Sequence, residues 1–116
     1  MINSEAVLSF SPQEIERILK GERRYLFQTR KPQTSIKRVS LYCPMPEMRI
    51  VAKLEVKKVL ALKPKDLWLK AEKKAGISEA SFKTLFLGCK TAYAFQLGKV
   101  LSKEEGWDVS SQAKKS

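Results

Sequence analysis

Three arginines and a lysine crowd around three large apolar residues in GERRYLFQTRKP, residues 21–32. A guanidinium presents a planar fork of donors that matches two phosphate oxygens at once, which an ammonium cannot do. Over residues 20–38 the basic set grows to Lys20, Arg23, Arg24, Arg30, Lys31, Lys37 and Arg38, against the single acid Glu22. The alternation of residues 23–30 predicts a strand with Tyr25 and Phe27 on one face and Arg24, Leu26, Gln28 and Arg30 on the other. On that reading Arg24 and Arg30 point outward to phosphate, Arg23 stands at the mouth of a cleft, and Gln28, Lys31, Lys37 and Arg38 extend the surface. The competing reading is a solvated strand that binds nothing. Tyr42 and Tyr93 are candidates to stack an extruded base, as aromatic platforms beside basic grooves do in single-strand readers.

A second basic run comprises Lys53, Lys57, Lys58, Lys63, Lys65, Lys70, Lys73 and Lys74, interrupted by Glu55, Asp66 and Glu72. Lysine-rich helix faces serve solubility more often than ligands. Glu55, between Lys53 and Lys57, is the one candidate catalytic residue. It is equally open to reading an exocyclic amine, or to a plain cross-strand ion pair.

The rest of the composition narrows the chemistry. With no histidine in 116 residues, Ser-His-Asp triads, His-based zinc or iron sites and the usual general base near neutral pH are excluded. Cys43 and Cys89 form no CxxC pair and read as small buried hydrophobes. No metal and no cofactor is expected. An excess of 23 Lys and Arg over 12 Asp and Glu, a formal +11, attracts polyanions, so RNA or a nucleotide is the expected partner. The first residues, MINSEAVLSF, lack the basic start and apolar run of a secretory signal, and no window approaches a membrane span. A cytoplasmic protein with no membrane partner is expected, and a monomer is compatible with the sequence.

Elements must position these residues. Residues 6–10 read as a buried strand. SPQEIERILKG then carries a full helix grammar: Ser11 to cap, Pro12 in the first turn, Glu14 at the capping-box position, Ile15, Ile18 and Leu19 as the buried stripe, and Gly21 to stop. SIKRVSLYC alternates with Val39, Leu41 and Cys43 inward and Arg38, Ser40 and Tyr42 outward. MRIVAKLEVKKVLAL is too long for one flat strand. Its inward phase, Ile50, Ala52, Leu54 and Val56, slips near Lys57 and Lys58, which predicts a bulge. Two helices follow, one from Lys63 and Pro64 with Leu67, Trp68 and Ala71 buried, the other capped by Ser78 with Phe82, Leu85 and Phe86 buried. A last strand places Tyr93, Phe95 and Leu97 on one face. One α+β domain over residues 1–103 is expected, then a polar, flexible tail over 104–116 in which Trp107 is available to tuck back onto the body.

The succession LSFSPQEIERILKGERRYLFQTR, RVSLYCPMPEMRIVAKLEV, PKDLWLKAEKKAGISEASFKTLFLG and TAYAFQLGKV resembles the ASCH (activating signal cointegrator homology) domains, relatives of the PUA barrel, over most of the chain. The resemblance implies a PUA-like small β-barrel of mixed strands with peripheral helices, a basic cleft beside the first helix, and binding of RNA or a modified nucleotide. In some branches it implies hydrolysis. The family's glycine-x-lysine-x-x-glutamate-x-arginine signature falls on residues 21–28, where Gly21 alone matches; Arg23, Leu26 and Gln28 occupy the other positions. Ser11 stands where a lysine is often found. In the branch that hydrolyses acetylcytidine, the resemblance sets a threonine nucleophile at the place of Leu26, a lysine at Arg23, and a glutamate that corresponds to Glu55. Leu26 has no nucleophilic atom, and Arg23 stays protonated, so binding is expected ahead of hydrolysis. A ribonuclease or divergent amidohydrolase is the alternative, and a protein-interaction module built on the Trp68 helix is a third reading.

Overall fold

The computed structural model describes residues 4–104. Its elements are β1 (Glu5–Ser9), α1 (Pro12–Leu19), β2 (Tyr25–Gln28), β3 (Arg38–Cys43), β4 (Arg49–Leu62), α2 (Pro64–Ala71) with a 3-10 turn at Glu72–Lys74, α3 (Glu79–Leu85) and β5 (Ala92–Lys103). The strands form one sheet in the order β1-β3-β4-β5-β2. Within it β1 runs parallel to β3, and the other neighbours are antiparallel. Of the expected tail, 104–116, only Glu104 is described, exposed but with its N–H donating to the Val51 carbonyl at 2.7 Å; residues 105–116, Trp107 included, lie outside the described residues.

The sheet curls into a half-barrel, and β4 is the reason. This 14-residue strand pairs with β3 through its first half and with β5 from Ala52 to Leu62. Its register against β5 shifts three times, the last between Val56 and Lys58, where the sequence pattern predicts a break. Each extra residue on one strand adds local twist and bend. A further shift on the β3 side brackets Val51 between Ala52 and Ile50. That slip buries Val51 beside Ala52 and leaves Ile50 exposed, contrary to the simple alternation.

Both faces of the sheet are covered in part. One cluster unites Ile15 and Ile18 of α1 with Leu26, Val39, Leu41, Leu54, Phe95 and Leu97. A second, on the opposite face, joins Leu67 of α2 and Phe82 and Phe86 of the α3 region to Ala92 and Ala94. Strand β2 serves both. Leu26 is 1% exposed in the first cluster, while Phe27 meets the rings of Phe82 and Phe86 edge-on at 5.1 and 6.1 Å. The expected outward face of β2 therefore does not exist around Leu26, because a strand covered on both sides has no solvent phase. Ser40, expected outward, is fully buried, its hydroxyl donating to Glu5 Oε2 at 2.7 Å. Leu85 is exposed, and Phe82 and Phe86 alone fill the α3 stripe.

The helix ends follow the sequence grammar. Ser11 Oγ accepts the Glu14 amide, Pro12 occupies the first turn, and Gly21 ends α1 at φ +81°. Ser78 Oγ accepts the Ser81 amide, and Gly76 and Gly88 hold the positive φ at the two later stops. Among the described residues no helix is long and apolar enough to cross a membrane.

Candidate nucleic-acid interface

Arg23 is the first residue whose position departs from expectation. It lies beneath the surface, 9% exposed, rather than at a cleft mouth. Its Nη1 donates to Glu14 Oε1 at 2.8 Å, and its guanidinium carbon sits 5.1 Å from the centre of the Phe10 ring. Glu14, which the helix grammar assigns to a capping box, turns its carboxylate to Arg23 and Arg17 instead. A charge-assisted bond to a buried cation outweighs one to an exposed amide. Gly76 closes over Arg23: a Cβ there would lie 2.5 Å from the arginine's Cγ and Cδ. Arg23 Nε is left without a hydrogen-bond partner. This residue is committed to holding α1, β1 and the α2–α3 turn together.

Arg24 is half-buried. Its Nη2 donates to the Leu97 carbonyl at 3.1 Å, and its backbone N–H donates to the Lys74 carbonyl at 2.8 Å. Gln28 Nε2 bonds the Phe27 carbonyl. Arg30, Lys31 and Lys37 are exposed, and none has a carboxylate at ion-pair distance among the described residues. Arg38 is exposed too, and is held by Glu5 at 3.6 Å and by Ser4 Oγ at 3.3 Å. The two tyrosines are separated: Tyr42 pairs across to Ile50 and Tyr93 to Ala61, opposite ends of β4. At about 3.3 Å per residue that is roughly 36 Å of chain along β4, and neither tyrosine lines the cleft described below.

The two basic runs meet at the middle of β4. Arg38 pairs in register with Glu55, and the Lys37 carbonyl accepts the Val56 N–H at 2.8 Å. Beside this junction an open cleft of about 510 Å³ is lined by Glu55, Val56, Lys57, Lys58, Lys70 and Gln96. The Val56/Lys58 register slip delivers both Lys57 and Lys58 to it, and α2 contributes Lys70. Glu55 and the stem of Lys57 both lie over Gly98, leaving no room there for a Cβ. The Lys99 N–H donates weakly to Glu55 Oε1 at 3.4 Å. Despite this proximity, no carboxylate lies at ion-pair distance from Lys57, Lys58 or Lys70 among the described residues.

Gln96 and Gly98 are the residues that pattern reading misses. The signal was a glycine inside a strand, which marks a bulge or a close approach. Glu5, on the same face as Arg38 and Lys53, has its carboxyl held below the ordinary value by the Ser40 hydroxyl first, opposed by burial and then aided by Lys53 and Arg38. Cys43 is buried, which pushes its thiol up, and Cys89 is half-buried against the second cluster. Trp68, Leu69, Phe82, Phe86 and Leu87 line an apolar groove of about 610 Å³ between α2 and α3. Among the described residues no three His, Cys, Asp or Glu side chains gather into a metal-binding group.

No protein-family model matches the sequence, and no curated protein matches it. The architecture does match solved structures. The ASCH protein from Zymomonas mobilis is 21% identical, with a TM-score of 0.73 over 96% of this chain and 78% of that one. A point variant of it gives 20% identity and a TM-score of 0.74 over 97% of this chain and 81% of the other. The half-barrel described above, with its long bent β4 and its helices on both faces, is the fold of the ASCH domains, a PUA-like small barrel.

Proposed function

We propose that this chain is an ASCH domain that binds single-stranded RNA or a nucleotide in the cytoplasm and does so without catalysis. The observation that carries this reading is the junction of the two basic runs at mid-β4. There Lys57, Lys58 and Lys70 line one open cleft with Glu55, none of them at ion-pair distance from a carboxylate among the described residues, and the exposed Lys37 adjoins through its carbonyl, which accepts the Val56 N–H. Solvated lysines on separate faces would not converge in this way, and a polyanion releases counterions on meeting such a surface. Arg30 and Lys31 extend the contact along the loop that leads from β2 to β3. Hydrolysis of the acetylcytidine kind is disfavoured by Leu26, since the position that the resemblance assigns to a nucleophile is filled by a core side chain. Glu55 then serves to orient or select, not to transfer protons.

The test is fluorescence anisotropy with short labelled single-stranded RNAs of unrelated sequence, at low salt. Binding of several sequences with similar affinity is expected, together with no release of acetate from N4-acetylcytidine. An absence of RNA and nucleotide binding would overturn the reading, and robust deacetylation abolished by Glu55→Gln would replace it with the hydrolase.

A further inference from the structure

The cleft at mid-β4 has a charge balance that selects among phosphates. Three lysines against one glutamate leave two positive charges in excess in one concave space. A phosphodiester carries a single negative charge, whereas a terminal phosphate monoester carries between ~1.5 and ~2 at neutral pH and offers three strong acceptor oxygens. We infer that this cleft is a subsite for the terminal phosphate of an RNA strand or nucleotide, gripped by Lys57, Lys58 and Lys70.

Three features support the assignment. Lys57 and Lys58 are neighbours in sequence that a regular strand would send to opposite faces. The β4–β5 register slip brings both to the cleft. Lys70 arrives from a separate element, α2, so the three ammonium groups are not a single solvated helix face. Glu55 lies over Gly98 and takes the Lys99 amide, and among the described residues it stands at ion-pair distance from none of the lysines around it, which leaves their ammonium groups available to another anion. Gln96 adds an amide group on the β5 side. The space, about 510 Å³, is in the range of small-molecule pockets, enough for a phosphate with its attached ribose. This inference rests on the RNA-binding reading above and narrows it to one end of the strand.

The experiment compares one short single-stranded RNA in three forms, 5′-phosphorylated, 3′-phosphorylated and hydroxyl-terminated at both ends, by anisotropy at fixed ionic strength. One phosphorylated form is expected to bind about fivefold or more tightly than the hydroxyl form, the sum of three partly exposed ion pairs. Which form gains identifies the end that enters. Lys58→Ala and Lys70→Ala should each shrink that gain, and Lys73→Ala should leave it intact. Inorganic phosphate, with chloride adjusted to hold ionic strength, should compete away the gain alone. Equal affinity for all three forms in the parent protein overturns the terminal-phosphate subsite while leaving RNA binding standing. Loss of affinity for all three forms alike in the Lys58 and Lys70 variants overturns it too, since that result makes them ordinary diester contacts. Failure of every form to bind the parent sinks both readings.

Discussion

Arg23 shows how much one burial decides. A cation at 9% exposure needs its carboxylate, so Glu14→Gln should destabilise the fold by about 2–4 kcal/mol, read by urea denaturation. Gly76→Ala should act on the same nest from the other side. It forces a Cβ against Arg23 and places alanine at φ +74°, with an expected loss of about 1–3 kcal/mol. Glu5 gives a pH signature with a definite sign. Its folded carboxyl is depressed chiefly by the Ser40 hydroxyl, so the stabilisation is present above the ordinary carboxylate value and disappears as pH falls through the depressed one. Ser40→Ala should therefore lower stability near neutral pH and lose much of that deficit in strong acid; a deficit equal at both ends of the pH range would mean that packing, not titration, is responsible. At this scale the sequence was least legible. Arg23, Arg24 and Arg30 look alike as letters, yet one is buried on Glu14, one bonds Leu97 and one is exposed, because their fates depend on partners far along the chain.

Elements were far easier to foresee. The capped, proline-started, glycine-stopped helix at α1 carries its own instructions in local backbone chemistry, and so does α3 with Ser78 and Gly88. The break at Lys57 and Lys58 was legible as a slip in apolar phase, and it coincides with the last of the three register shifts of β4 against β5. Sidedness failed at β2, Ser40 and Leu85. Alternation reports one buried face, and it is silent when a second layer, here α2 and α3, covers the other face. Phe82 anchors that layer, with Phe27, Trp68 and Phe86 rings at 5.1, 5.0 and 4.8 Å, so Phe82→Ala should cost about 3–5 kcal/mol. Leu26 belongs to the first layer. Restoring a hydroxyl with Leu26→Thr should produce no deacetylase and should destabilise by about 2–4 kcal/mol, since it removes buried methyl groups and buries a polar atom. Measurable turnover in that variant would argue that the core at β2 opens to substrate.

For the whole molecule, a formal +11 says only that anions are favoured. The curled sheet adds location, by bringing Lys37 and Arg38 of one basic run against Glu55 and Val56 of the other. No local pattern encodes that meeting, since it depends on β3 and β4 pairing in one register. The central claim is that this junction contacts phosphate, and the salt dependence of RNA affinity tests it most directly. For the parent protein and a single-stranded RNA that carries the favoured terminal phosphate, the logarithm of affinity should fall with the logarithm of salt at a slope of about −0.7 per phosphate neutralised. Removing Lys57 and Lys58 together should flatten that slope by up to about two contacts, with the unfolding transition unchanged, because both side chains are exposed. A slope that stays the same in the double variant, or an affinity indifferent to salt in the parent, would contradict the account and return these lysines to the solvated surface.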